Sequence, residues 1–367
     1  MARWACVVHV SLTVALVPPV ARPPSHVVCG GAAYDYFVQA LGCTEEEAAK
    51  AEGKLLPPIA ERVTRARADE RCSWLQSSLD LSDAELKKLV TKGPPVLGYS
   101  VETMAPTLEW LRDRLDLDEA RLKKVVVAFP SVLSLDIEAN LAPRLDWLQR
   151  RLGLDDSGLK KVVLENPSLL AFSVEDNMEP KLDWLQDRLN LDAAQLKKVV
   201  LGRPSLLGYS VEDNMAPKLD WLQTRLELDA AQLKKLVVAQ PTLLGYSVDA
   251  NMEPKLDWLQ RRFELDEAQL RKMVLTLPIL LSYSVETNMA PKLAYLERET
   301  GLSRSELRDR VLRFPQFMSY SLEKRYRPRL EACRAAGVDA EYVLTYVSKM
   351  DEKFYELLEE KSLRDAS

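Results

Sequence analysis

The apolar positions of this chain recur with helical spacing. In NMEPKLDWLQDRLNLD, residues 177 to 192, Met178, Leu182, Leu185 and Leu189 fall at i, i+4, i+7 and i+11, one face of a helix. Asn177 is a suitable N-cap and would place Pro180 at the third helical position, where no backbone N–H is needed. Asp192 caps a second helix, DAAQLKKVVLGR, in which Ala193, Leu196, Val199, Val200 and Arg203 share a side. That helix must stop at Pro204, which lacks a donor and restricts the residue before it. The remaining PSLLGYSVED has room for one short turn, with Leu206 and Leu207 as plugs and Ser210 and Asp213 as its capping box. The unit is therefore helix, helix, short turn.

The unit repeats. Pro130, Pro167, Pro204, Pro241, Pro278 and Pro315 stand 37 residues apart, and Pro143, Pro180, Pro217, Pro254, Pro291 and Pro328 each follow by 13. Trp74, Trp110, Trp147, Trp184, Trp221 and Trp258 keep the same interval, shortened once to 36 because the VETM segment at 101 to 104 lacks the Asn of later copies. Residues 178–214 and 215–251 are identical at 27 of 37 positions. Self-similarity at a fixed period of this length predicts an all-α solenoid, right- or left-handed, in which each unit completes its neighbour's core. About eight units are expected over residues 60–350. A targeting segment at 1–30 and a linker or N-terminal helix at 31–59 precede them, and an acidic tail at 351–367 follows as a terminal helix fading into solvent.

The first 25 residues contain Arg3, an uncharged run from Trp4 to Ala21, and no acid before Asp35. Pro18 and Pro19 interrupt a run only 18 residues long, which favours a cleaved leader over a membrane anchor. The valine-rich centre suits a secretory leader and the lack of acids suits an organelle presequence. Together they fit a bipartite leader.

Composition removes several kinds of chemistry. Both histidines, His9 and His26, lie in the leader, so a mature chain without it has no imidazole for a catalytic triad or a metal. Cys6, Cys29, Cys43, Cys72 and Cys333 have no metal-ligand spacing, and no glycine-rich phosphate loop occurs. No catalytic residue, metal or cofactor is expected. A carboxylate-dependent hydrolase remains only as a formal alternative.

The net charge of −5 argues against a generic polyanion binder, but net charge conceals where the charges lie. On the first helix, one basic column runs through Arg144, Lys181, Lys218, Lys255 and Lys292, and a second through Arg114, Arg151, Arg188, Arg225 and Arg262. The second helix carries a basic pair in six units, from Lys87-Lys88 to Arg271-Lys272, including Lys197-Lys198 and Lys234-Lys235. Stacking would turn these into tracks, with Lys198 and Lys235 joining the two columns as candidate phosphate contacts. The competing reading makes each pair a solvated helix face and the Arg column a set of surface ion pairs. Recent duplication would give the same constancy of register. The tryptophans are expected to pack between units.

The ordered unit NMxPKLxWLQ, LDxxQLKKVV, PxLLxYSVE resembles the mitochondrial transcription termination factor (mTERF) family over about residues 60–350. That resemblance implies import into a mitochondrion or plastid, no catalytic activity, and binding of double-stranded DNA or structured RNA along a basic concave groove. It also implies a role in transcription termination or regulation, or in RNA maturation. The expected partners are organellar nucleic acid and other gene-expression proteins, with no membrane, and the chain is expected to act as a monomer. The near-identity of the units favours phosphate tracking or shape recognition over base readout. A non-enzymatic protein-interaction scaffold is the alternative.

Overall fold

In a computed structural model, residues 31–365 are described, and the leader proposed for residues 1–30 lies outside them. Among the described residues every regular element is helical. Three short helices, Ala32–Gln39, Glu45–Glu52 and Pro57–Ala60, precede eight helix pairs that run from Arg65–Leu79 to Glu341–Tyr346. No described helix is long and apolar enough to cross a membrane.

One central unit shows the logic of all. Met178, Leu182, Leu185 and Leu189 are buried on the first helix, Glu179–Leu189, and Leu196, Val199 and Val200 on the second, Ala193–Gly202. The 3₁₀ turn Pro204–Gly208 then buries Leu206 and Leu207 completely. Asp192 caps the second helix in a capping box with Gln195. Second helices of successive units pack directly on one another from Asp83–Lys92 to Glu267–Thr276, and first helices such as Glu179–Leu189 also meet the second helix of the next unit. The apolar side chains of all units form one continuous core. The tryptophans are half-buried against it, as expected of packing residues.

Two local expectations need correction. Asn177 is not the N-cap. Ser173 is, accepting from the Asp176 amide at 3.0 Å, and the chain then makes one wide π turn, Val174–Met178, in which the Met178 amide reaches back five residues to Ser173 at 3.1 Å. Likewise Ser210 and Asp213 start the following first helix instead of closing the short turn before it. In VETM the extra residue is missing, and the Met104 amide reaches back only four residues, to Ser100. The step from 36 to 37 residues is thus one π turn, the usual result of inserting a residue into a helix.

The last helix, Asp351–Asp365, docks through Phe354 and Leu358. Arg329, fully buried, holds the start of that helix through Asp351 and the Tyr346 and Lys349 carbonyls.

Candidate nucleic-acid interface

Each basic column has a distinct fate. The Lys181 column is buried at its four lysines and half-buried at Arg144. The Lys181 ammonium donates to the Leu207 carbonyl of the next short turn at 2.6 Å and to Asn177 Oδ1 at 3.1 Å. Lys218, Lys255 and Lys292 repeat this with Leu244, Leu281 and Met318. Arg144 does the same with Leu170 and Asn140. The lysines lie within 6 Å of the ring centres of Phe172, Tyr209, Tyr246 and Tyr283, in cation–π range. Burial pushes the ammonium pKa of Lys181, Lys218 and Lys255 down, and that of Lys292, only 2% exposed, to about 8. These side chains are joints between units, and their donors are engaged within the protein.

The Arg188 column forms a ladder of inter-unit ion pairs. Arg114 reaches Asp146 at 2.9 Å, Arg151 reaches Asp183 at 2.6 Å and Arg188 reaches Asp220 at 2.7 Å, and each also reaches a glutamine of the next first helix. Arg225 sits among Glu253, Asp257 and Glu267, and Arg262 pairs with Glu297. A guanidinium neutralised in this way adds little positive field.

The paired positions on the second helices divide by angle. Adjacent helical residues diverge by about 100°, so the two lysines of a pair face different surroundings. The first turns inward to the preceding unit: Lys197 donates to the Gly153 carbonyl at 2.6 Å and Lys234 to that of Asn190 at 2.5 Å. Lys87, Lys123, Lys160 and Arg271 treat Gly42, Asp80, Asp116 and Glu227 alike. Those acceptors end the preceding helices in the left-handed conformation, so the cation caps the negative end of a helix dipole.

The second lysine of each pair is different. Lys88, Lys124, Lys161, Lys198, Lys235 and Lys272 are all exposed, and no described residue gives their ammonium groups a partner. They lie on consecutive, directly packed helices: Asp83–Lys92, Glu119–Ala128, Asp156–Glu165, Ala193–Gly202, Ala230–Ala239 and Glu267–Thr276. A groove of about 390 Å³ between the first two holds Lys88, Lys92 and Lys124. One turn beyond Lys198 and Lys235 the helix carries Leu201 and Gly202 in one unit and Val238 and Ala239 in the next, while one turn before them stand Gln195 and Gln232, whose side-chain oxygens accept from the N-cap amides of Asp192 and Asp229. The aliphatic neighbours cannot hydrogen-bond a base edge. In the seventh unit Asp309 takes the lysine's place.

Of the residues expected to contact phosphate, only Lys198 and Lys235 belong to this free column. Its other members were visible in the sequence as second lysines of a pair, but nothing in the spacing told which lysine of a pair would be free.

A stack of helix pairs in which six consecutive units each present an unpartnered lysine at the same place defines a helical-repeat protein. The chain belongs to the mTERF family, whose sequence profile matches residues 37–355. A comparison with curated proteins finds no match.

Proposed function

We propose that this protein binds double-stranded DNA or structured RNA in an organelle, a mitochondrion or a plastid, and acts there in transcription termination or regulation, or in RNA maturation. The observation that carries the reading is the column Lys88, Lys124, Lys161, Lys198, Lys235 and Lys272, whose ammonium groups are exposed and unpartnered. Neighbouring packed helices stand about 8–10 Å apart, so the column offers regularly spaced single charges to a phosphate backbone. Lysine is a point charge without the planar fork of arginine, and near-identical units present the same groups at each step, which suits a repeating backbone better than a varied base sequence. Binding is therefore backbone-directed and without chemistry. Membership of the mTERF family supports both the nucleic-acid ligand and the organellar setting.

The overall charge of −5 is a sum over the chain and leaves the six ammonium groups of the column unpaired. The test is affinity for mixed-sequence duplex DNA and hairpin RNA as a function of salt. Six neutralised phosphates give a log–log slope of about −5 on DNA. Absent affinity, or a flat response to salt, contradicts the reading.

A further inference from the structure

The opposite charge is also segregated. The π turns carry Glu138, Glu175, Asp176, Glu212, Asp213, Asp249 and Glu286, all exposed. At the centre of this acidic side is an open groove of about 590 Å³ between two units, bounded by Asp176, Pro180, Trp184, Tyr209 and Glu212. An equivalent groove two units on is lined by Pro254, Trp258 and Glu286, with Arg261 at its rim.

The walls of the central groove are fixed and partly apolar. The Tyr209 hydroxyl is held by Arg203 at 2.8 Å and Ser205 at 3.0 Å, which locks the ring in place. Pro180 and Trp184 are one turn apart on the same helix face. The only cation lining the groove, Lys181, is already bonded to Asn177 and Leu207. The Trp184 indole N–H has no partner among the described residues and reaches solvent, so a donor is free beside an aromatic wall. Asp176 and Glu212 stand at the rim with no basic partner in an ion pair.

An aromatic and proline wall, a free indole donor and a negative rim together suit one ligand chemistry. A polyproline-type segment has preformed shape and free backbone carbonyls to accept from an indole. Arginine or lysine within that segment would meet the rim carboxylates. Phosphate would be repelled by the same carboxylates. We propose that this side of the solenoid is a docking surface for an extended, proline-bearing, basic segment of a partner protein, separate from the lysine column.

The test uses fluorescence anisotropy of a labelled synthetic peptide, six repeats of Pro-Ala-Arg, with the full-length protein. Saturable binding is expected, weakened about tenfold or more by combined Asp176→Lys and Glu212→Lys. Because both carboxylates also accept from serines at the turns, Glu212→Gln alone is a milder second variant, expected to weaken binding several-fold with unchanged circular dichroism. A peptide of the same charge with Gly for Pro should bind several-fold more weakly. Lys198→Gln with Lys235→Gln should leave peptide affinity unchanged. Lack of saturable binding, equal binding of the proline-free peptide, or insensitivity to both Glu212 variants would overturn the proposal. None of these results depends on whether the chain binds nucleic acid.

Discussion

Lys181 donates a 3.1 Å hydrogen bond to Asn177, the residue that the π turn adds to its unit. Where the wide turn occurs, as at Val211–Met215, Val248–Met252 and Val285–Met289, the same bond links Asn214 to Lys218, Asn251 to Lys255 and Asn288 to Lys292. In the unit at Val101–Arg114 the extra residue is missing, and Thr107 stands where the lysine would be. The inserted asparagine thus supplies an acceptor for a cation that would otherwise be buried beside a single carbonyl.

This coupling predicts a non-additive pair of changes. Lys181→Thr alone leaves the buried Leu207 carbonyl and the Asn177 amide oxygen without their donor, at a cost of about 1–3 kcal/mol. Combining Lys181→Thr with deletion of Asn177 recreates the arrangement of the 101–114 unit and should cost less than the sum of the two single changes. Urea melting midpoints for the four proteins test this. Strict additivity contradicts the coupling.

Lys292 predicts a pH dependence. Its folded pKa, about 8, lies below the value near 10.4 of a free lysine. Between those values the unfolded chain binds more protons, so stability rises with pH. The charging penalty is fully present below pH 8 and relieved above about 10.5. Relative to Lys292→Met, which does not titrate, the wild type should gain on the order of 2 kcal/mol between pH 8 and 10.5. A constant difference in melting midpoint across that window contradicts the assignment.

The arginine ladder predicts a graded loss. Arg225, among three carboxylates, should lose about 1–2 kcal/mol on change to Ala, and Arg188, with one carboxylate and one glutamine, about 0.5–1. Removing Arg225 also leaves Glu253, Asp257 and Glu267 close together without their shared cation. Thermal melts give the order, and a larger loss at Arg188 contradicts it.

Much of the fold was legible because it rests on periodicity. Met178, Leu182, Leu185 and Leu189 form a helix face by spacing alone, and Pro204 ends the second helix wherever the chain goes next. The caps were less legible: Asn177 and Ser173 both have capping side chains, and only the register of the wide turn decides that Ser173 caps while Asn177 receives Lys181. The interface was hardest to read. Lys181 and Lys198 are both lysines at constant register, yet one is bonded to a carbonyl 26 residues away in sequence and the other has no partner. A repeat fixes where a charge recurs along the chain. Whether that charge faces an acceptor or solvent depends on contacts between units.

The most direct test of the account is therefore to neutralise the two lysine columns separately and measure binding to duplex DNA against salt. Changing Lys124, Lys161, Lys198 and Lys235 to Gln should leave the melting temperature nearly unchanged and reduce the log–log salt slope from about −5 to about −2. Changing Lys181, Lys218 and Lys255 to Met should lower the melting temperature and leave the slope of the folded protein as it was. The reverse pattern, a slope that follows the buried column and ignores the exposed one, would contradict the account.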